Sequence, residues 1–265
     1  MKLFEYQAKD VFKQNGIKTP NSFLIDSMKG LEEGFEKVGV PCALKSQVLR
    51  GGRGKAGLIP LVRTEEDAKA QAERLFKSEH NVRKILMEEM ISIDKELYLS
   101  VTVDAEKATA LVIACAEGGV DIETLAKESP DKIIFEEVDI FTGILPFQCK
   151  NIAYALAEDK ATANQLSKMI YNLYQIFVKY DAELVEINPI FITTDGQVIA
   201  GDGKLSIDDN SMHRQKTYEI TRDYFDSDME FEASKEGIPY IQFDGDISLM
   251  CAGAGLTTTV YDLIN

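Results

Sequence analysis

The sequence predicts a mixed α/β fold in which some strands are joined by helices and others by direct hairpins. Three observations carry this. Segments with apolar residues at helical spacing alternate with short apolar strands. Asp195-Gly196, between two apolar runs, is the strongest hairpin signal in the chain. Of 265 residues, 45% are apolar and 28% charged, the balance of a globular protein with a sizeable core.

The elements follow in order. Leu3, Tyr6, Ala8, Val11 and Phe12 repeat at helical spacing over 3–15, and Gly16 ends that helix as a C-terminal cap. Ile17 to Pro20 leads into a short strand, Ser22 to Ile25, and Lys29 to Val38 reads as an amphipathic helix. Cys42 to Val48 is a strand with Lys45 in its middle, followed by the glycine-rich GGRGKAG at 51–57 and a strand from Leu58 to Val62. Thr64 and an acidic first turn open a charged helix over 65–78. Ile85 to Met90 is a strand, and Glu96 to Asp104 with Ala108 to Ala116 form a hairpin. After EGGVDIETLAKESPDK come a strand at Ile133 to Val138 and a long helix at 160–180. Glu183 to Thr193 and Gln197 to Ala200 flank the Asp195-Gly196 turn, and 208–236 is charged with helical character. Tyr240 to Met250 reads as a strand, Gly253-Ala254-Gly255 as a tight turn, and a helix starts at Leu256. A strand, turn and helix need a parallel neighbour. The segment 239–265 is therefore expected to be the first βα unit of a further domain, and the chain a fragment or shortened form.

Composition excludes several functions. Lys plus Arg is 29 against 44 for Asp plus Glu, and a net charge of −15 excludes coating of nucleic acid or of an anionic membrane. The longest apolar run, Ala110 to Ala116, is far short of the ~20 residues of a membrane helix. MKLFEYQAKD forms no signal-peptide core, so the expectation is a cytoplasmic protein, or a matrix one only after loss of a transit peptide. Cys42, Cys115, Cys149 and Cys251 form no CxxC pair and read as reduced. With only His80 and His213, a His-rich metal site is excluded, and neither histidine has a nucleophile motif near it.

Four groups of residues carry candidate chemistry. Gly52 to Gly57 fits GxGxxG, but a strand rather than a helix follows, and Lys55 is followed by Ala56, so it is neither a dinucleotide fingerprint nor a Walker loop. What remains is a glycine loop with Arg53 and Lys55, able to fold over phosphates or to be an ordinary hairpin loop. Lys45, in an apolar strand, requires an anionic partner, either a phosphate or an internal carboxylate. Glu186 and Asn188 share one face of a strand. The hairpin returns Asp202 beside Asn188 if a one-residue bulge is present, for which Gly201 or Gly203 is the expected place. Oxygen ligands on adjacent strands suit Mg²⁺, which takes one or two protein oxygens and shares the rest with phosphates. Glu88, Glu89 and Glu96 suit an adenine amino group or ribose hydroxyls, or else solvate a strand end.

Taken in order, LFEYQAKDVFKQNGI, ALKSQV, GGRGKAG, DKELYLSV, EGGVDIE, LVEINPIFIT and GDGKLSIDDN resemble the ATP-grasp part of the β subunit of succinyl-CoA synthetase over essentially the whole chain. The resemblance implies an ATP-grasp fold over 1–238, with a small lobe at 21–102, a larger lobe formed by 1–20 and 103–238, and 239–265 opening an incomplete flavodoxin-like C-terminal domain. It implies that Lys45, Gly52, Arg53 and Gly54 hold nucleotide phosphates, and that Glu88, Glu96 and the backbone near Ile91 hold adenine and ribose. It further implies that Asn188 and Asp202 bind Mg²⁺ and that Glu186 meets a phosphohistidine, with Glu186, Lys45 and Arg53 as the catalytic set. By the same resemblance the histidine would belong to a partner α subunit, which would also carry CoA. The nucleotide it implies is ATP, with GTP as the alternative, and Pro20 matches the family's ATP-preferring type. The implied reaction joins a dicarboxylate, succinate, to CoA through a phosphohistidine and an acyl phosphate. Ala252 stands where the family has an asparagine before its GAG turn, which leaves malate open as the acid. A stand-alone carboxylate–amine ligase and a non-catalytic nucleotide-binding or assembly module are the rival readings.

Overall fold

The computed structural model describes residues 1–264 except Arg50, Asp226 and Asp244. The chain divides into two compact units, Met1–Glu219 and Ile220–Asn265.

The first unit holds two sheets. The smaller has the order β1-β4-β2-β3, built from β1 (Ser22–Ile25), β2 (Cys42–Ser46), β3 (Leu61–Val62) and β4 (Ile85–Glu89). All its pairings are antiparallel. One face is covered by α2 (Leu31–Lys37) and α3 (Glu65–Phe76), whose Leu31, Ala68, Ala72 and Leu75 pack with Cys42, Leu44 and Met87. Thr64 caps α3 by accepting a hydrogen bond from Asp67 N at 3.2 Å, and Glu65, Glu66 and Asp67 complement the positive helix end. The strand expected at 58–62 is shortened to Leu61–Val62, because Pro60 has no N–H to give a ladder.

The larger sheet has the order β10-β8-β5-β6-β7, with β9 also pairing β8. Its strands are β5 (Ile93–Asp104), β6 (Thr109–Cys115), β7 (Ile133–Val138), β8 (Ala182–Thr193), β9 (Val198–Ala200) and β10 (Lys204–Ile207). Leu99, Val101, Val185 and Ile187 join the apolar faces of α1 (Glu5–Gln14), α5 (Pro146–Leu156) and α6 (Lys160–Lys179) in one core. Asp159 caps α6 through Thr162 N at 2.7 Å. A short helix, α4 (Ile122–Glu128), follows the EGGVD segment and is capped by Asp121. The N-terminal segment with α1 contacts both sheets: Tyr6 N of α1 donates to Gln47 Oε1 at 3.0 Å beyond β2, and Leu3 N, just before α1, donates to Leu205 O at 2.8 Å in β10.

The second unit contains α7 (Asp228–Lys235) and α8 (Ala254–Ile264). The strand expected at Tyr240 to Met250 does not form among the described residues; position 244 lies outside them. Ile241, Ile247 and Met250 stay exposed, and no strand pairs with them. An extended segment becomes a strand only by pairing, whereas α8 makes its backbone hydrogen bonds within itself. The charged stretch at 208–236 is helical only in part, as two short 3₁₀ turns and α7. Of the four cysteines, Cys42, Cys115 and Cys149 are buried and Cys251 is partly exposed, all as free thiols.

Candidate functional site

The face of β2 away from α2 and α3 carries Lys45, and the neighbouring strand β4 presents Glu88. Across from them, α1 supplies Glu5 and Lys9, one helical turn apart. The segment between β9 and β10 supplies Gly201 and Asp202, and the glycine loop supplies Arg53. Three cations and three carboxylates therefore meet from five pieces of chain. Lys45 Nζ lies 2.7 Å from Glu88 Oε1 and 3.1 Å from Glu5 Oε1, and donates to Gly201 O at 2.7 Å. Lys9 Nζ lies 2.9 Å from Glu5 Oε1, pairs with Glu88 Oε2 and donates to Gly201 O at 2.7 Å. Arg53 bridges Glu5 Oε2 at 2.6 Å and Asp202 Oδ2 at 2.7 Å, and donates to Ser46 O at 3.1 Å. The Glu5, Glu88 and Lys9 side chains are at most 3% exposed, Lys45 and Arg53 about a tenth, and Asp202 30%.

The charges hold each other ionised. Burial opposes the Glu5 carboxylate, but Lys45, Lys9 and Arg53 outweigh it and keep the group well below the ordinary carboxylate range. Burial likewise opposes Lys45, and Glu5, Glu88 and Asp202 hold its ammonium above its ordinary range. Asp202 goes the other way. Burial and then Glu5 push it up, against Arg53, Lys45 and Lys9. The internal carboxylate, one of the two partners the sequence allowed for Lys45, is present as Glu5 and Glu88. Glu88 does not solvate a strand end: it is buried, with both oxygens turned to lysines.

The second group lies along β8. Cross-strand partners share a sheet face. Glu186 pairs with Lys204 of β10 and Ser100 of β5, and the same register carries Asp202 opposite Asn188. The expected one-residue shift is real, but it is not at Gly201 or Gly203. Thr193 N donates to Gln197 O across a three-residue loop, with Gly196 at φ +78°, so the turn itself supplies the extra residue. Gly201 and Gly203 serve close packing instead. A Cβ would lie 2.5 Å from Phe191 Cζ at Gly201 and 2.5 Å from Phe12 Cε2 at Gly203. The Tyr98 hydroxyl lies 3.0 Å from Glu186 Oε2 and 3.0 Å from Ser100 Oγ, and burial followed by the Glu186 charge raises its pKa.

Asn188 is tied to the EGGV segment: Gly119 N donates to its Oδ1 at 2.8 Å, and its Nδ2 donates to Val120 O at 3.0 Å. Gly118 N donates to Glu96 O at 2.9 Å, which brings Glu96 to the same loop. A Cβ on Gly118 would stand 2.6 Å from Leu97 O, so only glycine fits there. Ile91 lies in the connection from β4 to β5, between the two sheets, where Thr194 N donates to Ser92 O at 3.0 Å. Gly52 and Gly54 are exposed in the loop that Arg53 anchors, and Gly52 has φ +74°. Thus Lys45, Arg53, Glu88 and Asp202 converge, Asn188 and Glu96 meet through 118–120, and Glu186 stands with Tyr98.

Among the described residues Asp202 Oδ1 accepts from Gly203 N and Asn188 Oδ1 from Gly119 N, one N–H each, which leaves each oxygen a further lone pair. Among the described residues no three His, Cys, Asp or Glu side chains converge as a metal cage. A hard cation using one carboxylate, one amide oxygen and phosphate oxygens fits this donor set, as Mg²⁺ requires.

Sequence reasoning missed Glu5, Lys9, Tyr98 and Gly118. The signal for the first two was present. Positions 5, 8, 9 and 12 lie on one face of α1, and Ala8 and Phe12 are fully buried there. Charges inside an apolar stripe announce a buried ion pair.

Comparison with known proteins supplies the family and the fold. Residues 2–192 match the ATP-grasp domain family model. The chain is 57% identical to the ADP-forming sulfoacetate-CoA ligase subunit SauC of Bilophila wadsworthia, over all of this chain and 71% of that protein. It is 40% identical to the ADP-forming succinate–CoA ligase subunit beta of Methanocaldococcus jannaschii, again over the whole chain and 71% of that protein. An ATP citrate lyase structure from Methanothrix soehngenii, with citrate and coenzyme A, superposes with TM-score 0.68 at 21% identity, over 88% of this chain and 59% of that one. That likeness concerns the fold alone. Among the described residues no helix is long and apolar enough to cross a membrane. The chain belongs to the ATP-grasp family, among the β-type subunits of ADP-forming acid–CoA ligases.

Proposed function

We propose that this chain is the nucleotide-binding subunit of an acid–CoA ligase, passing phosphate from Mg-ATP to a histidine of a partner α subunit that also carries CoA. The observation that supports this most is the meeting of Lys45, Arg53 and Asp202 under a glycine loop, with Asn188 at the register position opposite Asp202. In phosphoryl transfer the protein's work is positioning and charge neutralisation. Arg53 and Lys45 are the cations of the cluster under the loop, and Gly52 and Gly54 leave its backbone open to a phosphate. Asn188 and Asp202 are the residues to hold Mg²⁺, which when bound neutralises phosphate charge. Glu186, oriented by Tyr98, is the group to receive the partner's histidine. Glu96 and the backbone at Ile91 are assigned to ribose and adenine. Glu88 is reassigned from adenine and ribose to the buried charge network, because both its oxygens are taken by lysines.

The expected acid was succinate. The 57% identity to a sulfoacetate-CoA ligase subunit, against 40% for a succinate–CoA ligase subunit, makes sulfoacetate the acid to test first. Ala252 in place of the family's asparagine departs from the succinate pattern and leaves malate as a further acid to compare.

Calorimetric titration of Mg-ATP into the chain with its partner subunit tests the nucleotide reading. Binding in wild type and its loss in Asp202→Ala are expected. A folded complex that binds no Mg-ATP would overturn it. ADP release with sulfoacetate and CoA, compared with succinate and CoA, tests the acid, and faster turnover with succinate would restore the first expectation.

A further inference from the structure

Lys9 and Lys45 come from different elements, yet they take the same three acceptors: Glu5 Oε1, the Glu88 carboxylate and Gly201 O. An ammonium has three N–H donors, so each lysine is saturated. They differ in position. The Lys9 side chain is 1% exposed and enclosed, whereas Lys45 is 10% exposed, on the strand that leads into the glycine loop. Only Lys45 can turn to an incoming phosphate, and to do so it must leave two buried carboxylates. With no other cation present, that departure would strip Glu88 entirely and leave Glu5 to Arg53, itself a phosphate ligand in the same reading. Uncompensated buried charge is among the costliest defects in a protein.

We propose that Lys9 is a positioning residue: a resident counter-ion that keeps Glu5 and Glu88 paired and so frees Lys45 for a nucleotide phosphate. Lys9 touches no phosphate itself. The inference rests on the nucleotide reading above, and gives a buried residue of the first helix a role in ligand affinity rather than in packing alone.

The test is calorimetric titration of Mg-ATP into the same complex carrying wild type, Lys9→Met, Lys9→Arg, or Lys9→Met with Glu88→Gln. Lys9→Met leaves three carboxylates to two cations, so Lys45 is held back, and affinity falls about tenfold or more. Lys9→Arg restores the charge and recovers most of it. The double variant removes one carboxylate with one cation, and returns to within about threefold of wild type. General loosening of the fold would not be repaired by a second substitution in the same cluster, and thermal midpoints are read in parallel. Lys9→Met binding as tightly as wild type would overturn the role. If Lys9→Met does not fold, the double variant decides: near wild-type affinity supports the role, and affinity more than about tenfold weaker refutes it. No binding by wild type would refute the site reading itself, and the counter-ion role with it.

Discussion

Glu88→Gln removes one negative charge from a sealed cluster and leaves its shape almost unchanged. Glu88 is 2% exposed and meets Lys9 through one oxygen and Lys45 through the other. After the change three cations face two carboxylates, and one positive charge is uncompensated inside the protein. Breaking a buried pair from one side costs about 3–5 kcal/mol. Both lysines keep Glu5 and Gly201 O, so the low end, about 3 kcal/mol, is expected. The first unit ends at Glu219, and for a body of that size each kcal/mol moves the midpoint by about 2–4 °C, so the drop should be about 6–12 °C. Urea and thermal unfolding at neutral pH measure it, with Glu73→Gln as the control. Glu73 pairs with Lys77 on the surface, and its loss should leave the midpoint unchanged. A Glu88→Gln loss below about 1 kcal/mol would refute the reasoning, since it would mean that the cluster is solvated in the way a surface pair is.

Other outcomes follow from the same geometry. Gly118→Ala drives a Cβ into the Leu97 backbone, which has nowhere to go, and should cost about 1–3 kcal/mol in urea unfolding. Asn188→Ala cuts both ties to Gly119 and Val120, and limited proteolysis should become faster within the 117–121 segment while the global midpoint moves little. Leu99→Ala, at a fully buried central position, should cost about 2–5 kcal/mol. Stability should fall in acid. Arg214 and Gln215 hydrogen bonds hold Asp181 down to about 2, so its contribution is complete above the unfolded carboxylate range near pH 4 and is lost as pH falls from there through about 2. Asp181→Asn should flatten that limb of a stability–pH curve. Glu5 titrates in the same direction, whereas Asp202, whose pKa is raised, gains relative stability as pH falls.

How much of this was legible differed by residue. Helices with strong periods and good caps, such as α3 and α6, were readable within a few residues. The helix α5 was not assigned, although Pro146 at its first turn and Gln148, whose Oε1 accepts from Leu145 N, form a start signal. Its PFQCKNIAYAL pattern is only weakly one-sided, so periodicity gave no support. The need of Lys45 for an anion followed from burial cost alone, but the identity of that anion depended on α1 crossing from one sheet to the other, which no local pattern encodes. Arg53 turning inward is of the same kind. The loop's composition allowed many conformations, and Glu5 and Asp202, distant in sequence, select one. The pairing of Asn188 with Asp202 was foreseen, yet its cause was placed six or so residues too late, because Gly196 was counted into a two-residue turn.

The neutrality of the buried cluster also bears on how a ligand is met. The chain carries −15 overall, and Lys9, Lys45 and Arg53 are cancelled in place by Glu5, Glu88 and Asp202. At low salt, where the screening length reaches about 30 Å, the net charge therefore repels an approaching nucleotide, and this neutral cluster adds no attraction to offset it. Association should be slower than for a basic cleft, and added salt should accelerate it by screening, while the dissociation rate, governed by short contacts to Arg53 and Lys45, changes less. Rapid-mixing traces taken across ionic strength would therefore rise where those of most anion-binding proteins fall.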